Sequence, residues 1–85
     1  MPWDVVLVRS AEKQLSKAPA QDRERILSSL VRMQEDPFAG DIAYLKGQEA
    51  ALRRRVGKWR IFFDVYPQEH RVVVLAIIRR TSTTY

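Results

Sequence analysis

LRRRVGKWRIFFDV, from Leu52 to Val65, decides how the rest of the chain is read. Its two runs, LRRRV and KWRIFFDV, are rich in β-branched and aromatic residues. They flank Gly57–Lys58, the composition of two strands around a tight turn. Yet five of these fourteen residues are Arg or Lys. A strand that only closes a core carries fewer.

The two-residue period of a strand sorts these cations. Leu52, Arg54 and Val56 point one way, and Ala51, Arg53 and Arg55 the other. Trp59, Ile61, Phe63 and Val65 share an apolar face, opposite Lys58, Arg60, Phe62 and Asp64. With helices covering Trp59 and Ile61, Arg53, Arg55 and Arg60 converge on the uncovered face. Three guanidiniums on a rigid sheet suit phosphate, because each can bond bidentately. The same residues also suit a merely solvated surface, where Lys and Arg discourage edge pairing. Arg54 falls on the covered face. That requires either a stem that reaches past the core edge or an irregular strand.

Toward the C-terminus, RVVVLAIIR (71–79) is a wholly apolar strand, joined to the previous one by Pro67–Gln68–Glu69–His70. It delivers Arg79 and Arg80 at its exit, followed by a hydroxyl-rich tail ending at Tyr85. Tyr85 either curls back over these arginines or frays as chain ends do. Toward the N-terminus, PFAGDIAYLKGQEA reads as a loop, with Leu45 anchoring it to the core. AQDRERILSSLVRMQED is the clearest helix, with Ile26, Leu27, Leu30, Val31 and Met33 or Gln34 at helical spacing. Pro37 stops it. A shorter helix through AEKQLSKA is expected to be capped by Ser10 and ended by Pro19. WDVVLV (Trp3–Val8) reads as a strand.

The order is therefore β-α-α-β-β-β. The expected fold is α+β, two N-terminal helices packed on one face of a small, mainly antiparallel sheet. At 85 residues the chain is expected to be a single domain, 1–85. A chain this size buries only about 60–65% of its unfolded surface, so its stability margin is thin. There is no cysteine and a lone histidine, His70. Neither a disulfide framework nor a Cys- or His-based metal site is expected. No segment approaches the ~20 apolar residues of a membrane span, and the N-terminus lacks a leader pattern, so a cytoplasmic protein is expected.

The charge is segregated. Residues 1–45 hold six Lys/Arg against seven Asp/Glu, and residues 46–85 hold nine against three. A net of −1 thus precedes a net of +6, which points to a face that meets a polyanion.

The element order resembles the RelE/ParE toxin superfamily of toxin–antitoxin systems. So do YLKG (Tyr44–Gly47), LRRRVGKWRIFFDV and the ending RVVVLAIIRR…Y, and the likeness spans essentially the whole chain. The RelE-like ribonuclease branch carries two basic residues two apart on one strand, matched here by Arg53 and Arg55. It carries a third after the turn, matched by Arg60, and a fourth at the exit of the last strand, matched by Arg80 or Arg79. An aromatic near the C-terminus matches Tyr85, with Lys46, Lys58 and Arg79 as accessory phosphate contacts. Where that branch often has Lys, Arg53 and Arg55 keep the charge but not a readily titrated proton. Members of the family commonly have a longer C-terminal helix, which is not expected here.

The resemblance implies cleavage of messenger RNA in the ribosomal A site, with no metal or other cofactor. In that chemistry the 2′-hydroxyl attacks its own adjacent phosphate and the 5′-oxygen leaves. Fixed cations stabilise the crowded phosphorane, and a phenol among arginines has its anion favoured, which suits Tyr85 as the base. His70, in the distal turn, is the poorer candidate. A ParE-like inhibitor of DNA gyrase and a degenerate toxin that only binds its antitoxin remain alternatives. All three imply a co-encoded antitoxin wrapping the chain as a hetero-oligomer, with ribosome and mRNA as further partners of the first.

Overall fold

The tight turn at Gly57–Lys58 sets the sheet. In the computed structural model, which describes residues 2–46 and 51–80, the chain runs β1 (Asp4–Leu7), α1 (Arg9–Lys17), α2 (Ala20–Glu35), β2 (Ile42–Tyr44), β3 (Leu52–Val56), β4 (Trp59–Tyr66) and β5 (Arg71–Arg79). Val56 pairs with Trp59, leaving only Gly57 and Lys58 to turn the chain. Gly57 sits at φ +58° and Lys58 at a negative φ. That is the type II′ pattern, whose twist matches the flanking strands and which needs glycine first. The β4–β5 hairpin turns through a short 3-10 segment at Pro67–Glu69, with His70 in the left-handed region.

The strand order is β1-β5-β4-β3-β2. All neighbours are antiparallel except β1, which runs parallel to β5. The sheet is mixed and mostly antiparallel, with both helices on one face, as the β-α-α-β-β-β order requires. One strand is additional. β2 lies inside the segment read as a loop, because three residues are too few for periodicity to register. Its pairing, Ile42 with Arg54 and Tyr44 with Leu52, covers only part of β3. Leu45 is half-buried just beyond it, its N–H bonded to the Ala51 carbonyl at 2.9 Å.

Ser10 does not cap α1. The helix begins at Arg9, with Val8 at the cap position and no side-chain cap. Val8 is where β1 ends: its N–H bonds to the Val74 carbonyl and its own carbonyl accepts the Glu12 N–H. The strand ladder thus fixes the helix start, and Ser10 is left in the first turn. Ala18 follows α1 and Pro19 precedes α2, so the proline separates them as expected. Along α2, Ile26, Leu30 and Met33 are buried, while Leu27 and Val31 are 45% and 58% exposed. The helical spacing is right, but the apolar stripe is wider than the sheet can cover.

The core lies between these helices and Leu52, Ile61, Phe63, Val72, Val74 and Ile77. Burying each large side chain stabilises by about 1.5–3 kcal/mol. One irregularity in this layer matters for the opposite face. Phe62 pairs with Ala76 but Phe63 pairs with Val74, so Leu75 has no partner in the ladder. The Gln14 side-chain Oε1 accepts the nearby Ile77 N–H at 2.7 Å, holding α1 against this bulge.

Candidate nucleic-acid interface on the uncovered sheet face

β3 and β4 turn Arg53, Arg60 and Phe62 to the face that the helices leave bare, with Arg55 at the edge of β3, where it also lines a cleft beside α2. The register makes the arrangement concrete: Arg53 lies opposite Phe62, and Arg55 directly opposite Arg60. Like charges directly opposite each other destabilise a sheet, where an opposite-charge pair would help. Arg53 and Arg60 are half-buried, and the Nε of each is shut from solvent without a protein acceptor. Arg55 is exposed, its Nε 3.9 Å from an Asp41 carboxylate oxygen. Asp41 also accepts the Arg55 backbone N–H, at 3.0 Å.

The bulge sets the two exit arginines on different sides of the sheet. Strict alternation from buried Val72 and Val74 would turn Arg80 toward the helices and Arg79 to the bare face. The extra residue at Leu75 reverses that parity, so Ile77 is buried and Arg79 pairs with Trp59 on the helix side. Arg79 there lines a cleft of about 380 Å³ with Asp22, Arg25 and Trp59. Arg80 follows β5, its N–H bonded to the Lys58 carbonyl at 2.6 Å, and alternation from Arg79 turns it to the side of Arg60. Bulges next to functional sites commonly re-aim side chains in this way.

The remaining candidates are placed more loosely. Lys58 is exposed in the turn, and Lys46 is exposed shortly after β2. Neither side chain is held by a hydrogen bond or ion pair among the described residues. Tyr85 lies outside the described residues. His70 stacks on Trp3 with ring centroids 4.0 Å apart, in the distal turn, away from the arginines. Asp64, on the bare face by alternation, accepts the Ala51 N–H at 2.7 Å and so fastens the start of β3.

Arg54 answers neither expectation for it. The strand is regular, since β3 pairs with β4 without a shift, and the side chain does not escape to solvent. It is 7% exposed. Its Nε donates to Ser29 Oγ on α2 and one Nη to the Ala39 carbonyl. No carboxylate lies within ion-pair distance of it among the described residues. Burial holds its pKa below the ordinary arginine value, Arg32 adds to this, and Asp41 opposes it. Gly40, at φ +97°, fits because a Cβ there would stand 2.9 Å from both Arg54 Nη atoms. Alternation alone cannot find these partners. Ser29 is one polar residue on an apolar helix stripe, and Ala39 offers only backbone.

Among the described residues no group of three His, Cys, Asp or Glu side chains is placed to hold a metal ion, and no helix is long and apolar enough to cross a membrane. No family model matches the chain, and no curated protein matches it. Solved structures do. The archaeal RelE–RelB complex from Pyrococcus horikoshii OT3 superposes with a TM-score of 0.84 at 20% identity, covering 98% of this chain and 100% of that one. The RelBE2 toxin–antitoxin complex of Mycobacterium tuberculosis gives 0.82 at 20% identity, covering 94% and 93%. The isolated E. coli RelE toxin gives 0.81 at 18%, covering 96% and 88%. The fold is that of the RelE toxins.

Proposed function

We propose that this chain is the toxin of a toxin–antitoxin pair, an endoribonuclease that cuts messenger RNA on the ribosome and so stops translation in the cytoplasm. The observation that carries this reading is the arginine face. Arg55 and Arg60 oppose each other across the ladder, and Arg53 and Arg60 keep buried Nε donors without acceptors. An RNA phosphate supplies both the missing acceptor and the missing negative charge.

In the reaction, the 2′-hydroxyl oxygen bonds to the adjacent phosphorus while the bond to the 5′-oxygen breaks. The products are a 2′,3′-cyclic phosphate and a 5′-hydroxyl. Arg53, Arg55, Arg60 and Arg80 stabilise the negative charge that grows on the phosphorane oxygens, where fixed donors contribute most. Being always protonated, they do not serve as the base. Tyr85 takes the 2′-hydroxyl proton, which leaves with the 5′-oxygen. Lys46, Lys58 and Arg79 contribute to holding the RNA. The mechanism draws all its cations from side chains and uses no cofactor.

The partner is a co-encoded antitoxin, by likeness to the RelE–RelB complexes. A net +6 half-chain suits an acidic segment, and the exposed Leu27 and Val31 on α2 suit an amphipathic one. The test is to express the chain alone in bacteria and map transcripts by primer extension. The expected result is growth arrest with cuts inside codons of ribosome-bound messages. Intact transcripts accompanied by gyrase-linked DNA breaks would move the chain to the gyrase-inhibitor class.

A further inference from the structure

A second basic site lies on the helix side of the β3–β4 hairpin. A cleft of about 290 Å³ separates α2 from β3, walled by Arg25, Ser28, Ser29, Arg32, Arg54 and Arg55. We propose that this cleft holds the sugar–phosphate backbone of ribosome-bound RNA outside the segment being cut, with Arg55 at the rim joining it to the cleavage face. The inference rests on the ribonuclease reading and deepens it.

Three features carry it. The cleft ends on a buried, positively charged group that makes no ion pair among the described residues, with Asp41 acting on it only from farther away. Arg54 is 7% exposed, has no carboxylate within ion-pair distance among the described residues, and has Arg32 nearby. An uncompensated buried charge is costly, and an anion in the cleft removes that cost. The donors also suit an oxyanion. Ser29 Oγ already accepts from Arg54 Nε, which leaves its hydrogen free to donate, and Arg25 and Arg32 stand two helical turns apart on α2. Finally, Arg55 lines the cleft from the edge of β3, where its Nε stands 3.9 Å from an Asp41 carboxylate oxygen. β2 pairs only with Leu52–Arg54, so Arg55 and Val56 lie beyond its end. Arg55 therefore has its backbone opposite Arg60 while its side chain reaches this cleft.

An acidic protein segment is the competing occupant. Among the described residues Val56 is the only apolar one on the wall, whereas peptide grooves rely on buried apolar or aromatic anchors. A phosphate backbone needs none.

The experiment uses the full chain and ribosomes programmed with a message carrying 2′-O-methyl groups at the A-site codon, which cannot be cut. Affinity is measured from 50 to 200 mM KCl at fixed Mg²⁺ for the unaltered chain, Arg25→Gln/Arg32→Gln and Arg53→Ala/Arg60→Ala. Arg25 and Arg32 are exposed, so their loss leaves the fold intact, which circular dichroism checks. The expected result for the Gln pair is tenfold or more weaker binding, with the slope of log K against log [KCl] shallower by roughly 1.4, two single-strand phosphate contacts. Unchanged affinity and slope in the Gln pair, while the Ala pair abolishes cutting of an unmodified message, overturns the cleft and leaves the ribonuclease reading standing. Full cutting by the Ala pair overturns that reading instead. Loss of affinity for the co-encoded acidic partner with ribosome affinity intact makes the cleft a protein site and also overturns the inference.

Discussion

A guanidinium N–H shut away from water without an acceptor costs about 1–3 kcal/mol, and Arg53 and Arg60 each hold one. Arg60 faces Arg55 across the ladder as well. A surface built only for solvation gains nothing from either feature, since a lysine or arginine in water costs less. Arg60→Ala therefore has an expected sign on both axes. The side chain lies opposite Trp59 and Ile61, so its removal opens no core cavity. Stability is expected to change by less than about 1 kcal/mol. Cleavage is expected to lose roughly 2.7–4 kcal/mol of transition-state stabilisation, a rate fall of about 10²–10³. Single-turnover cleavage and a thermal melt on the same preparation check both. A lowered melting temperature with an unchanged rate would make Arg60 structural.

At the scale of the element, the bulge at Leu75 turns a one-residue ambiguity into a measurable difference. It sets Arg80 on the side of Arg60 and Arg79 against Trp59. Arg80→Ala is expected to slow cleavage at least tenfold more than Arg79→Ala, with both read at saturating ribosomes. Equal losses, or the reverse order, would contradict the parity that the bulge imposes. The β2–β3 edge offers a second test. Arg54 fixes Ala39 and lies against Gly40, and the adjoining Asp41 pairs with Arg55. Gly40→Ala is expected to cost about 1–2 kcal/mol, from the positive φ and from the clash with a guanidinium held by Ser29 and Ala39. In an Arg54→Met background the clash is gone and only the backbone strain remains. The double-mutant cycle should then show a coupling of at least about 0.5 kcal/mol, and a coupling of zero would mean the guanidinium gives way freely. These two elements also mark where the sequence is legible. Alternation in LRRRVGKWRIFFDV is enough to place Arg53, Arg55 and Arg60 together, because β3 and β4 are regular and one face is apolar. Alternation cannot reveal Leu75, since RVVVLAIIR is apolar on both faces and a parity change leaves no trace in it. It cannot reveal β2 or the partners of Arg54 either, because those depend on backbone carbonyls and on contacts between distant segments.

For the molecule as a whole, the segregated charge becomes a question of stability. A small chain with a net charge of +5 repels itself, most where cations lie close together, as Arg25, Arg32, Arg54 and Arg55 do around the α2–β3 cleft. Raising the salt screens this repulsion, so chloride alone is expected to raise the melting temperature modestly. Phosphate acts in three ways: it screens, it is excluded from protein surfaces in general, and it occupies oxyanion sites present only in the folded state. Only the third depends on particular residues, which allows it to be isolated. At a phosphate concentration ten times the site's Kd, occupancy stabilises the fold by about 1.4 kcal/mol. For a domain of this size that corresponds to a shift of roughly 6–11 °C. The excess of phosphate over chloride at equal ionic strength is expected to shrink in Arg53→Ala/Arg60→Ala, shrink separately in Arg25→Gln/Arg32→Gln, and fall to the general exclusion effect when all four are changed. If all four proteins gain equally from phosphate, the arginines do not form oxyanion sites, and the charge segregation would reflect long-range attraction to a polyanion rather than built binding positions.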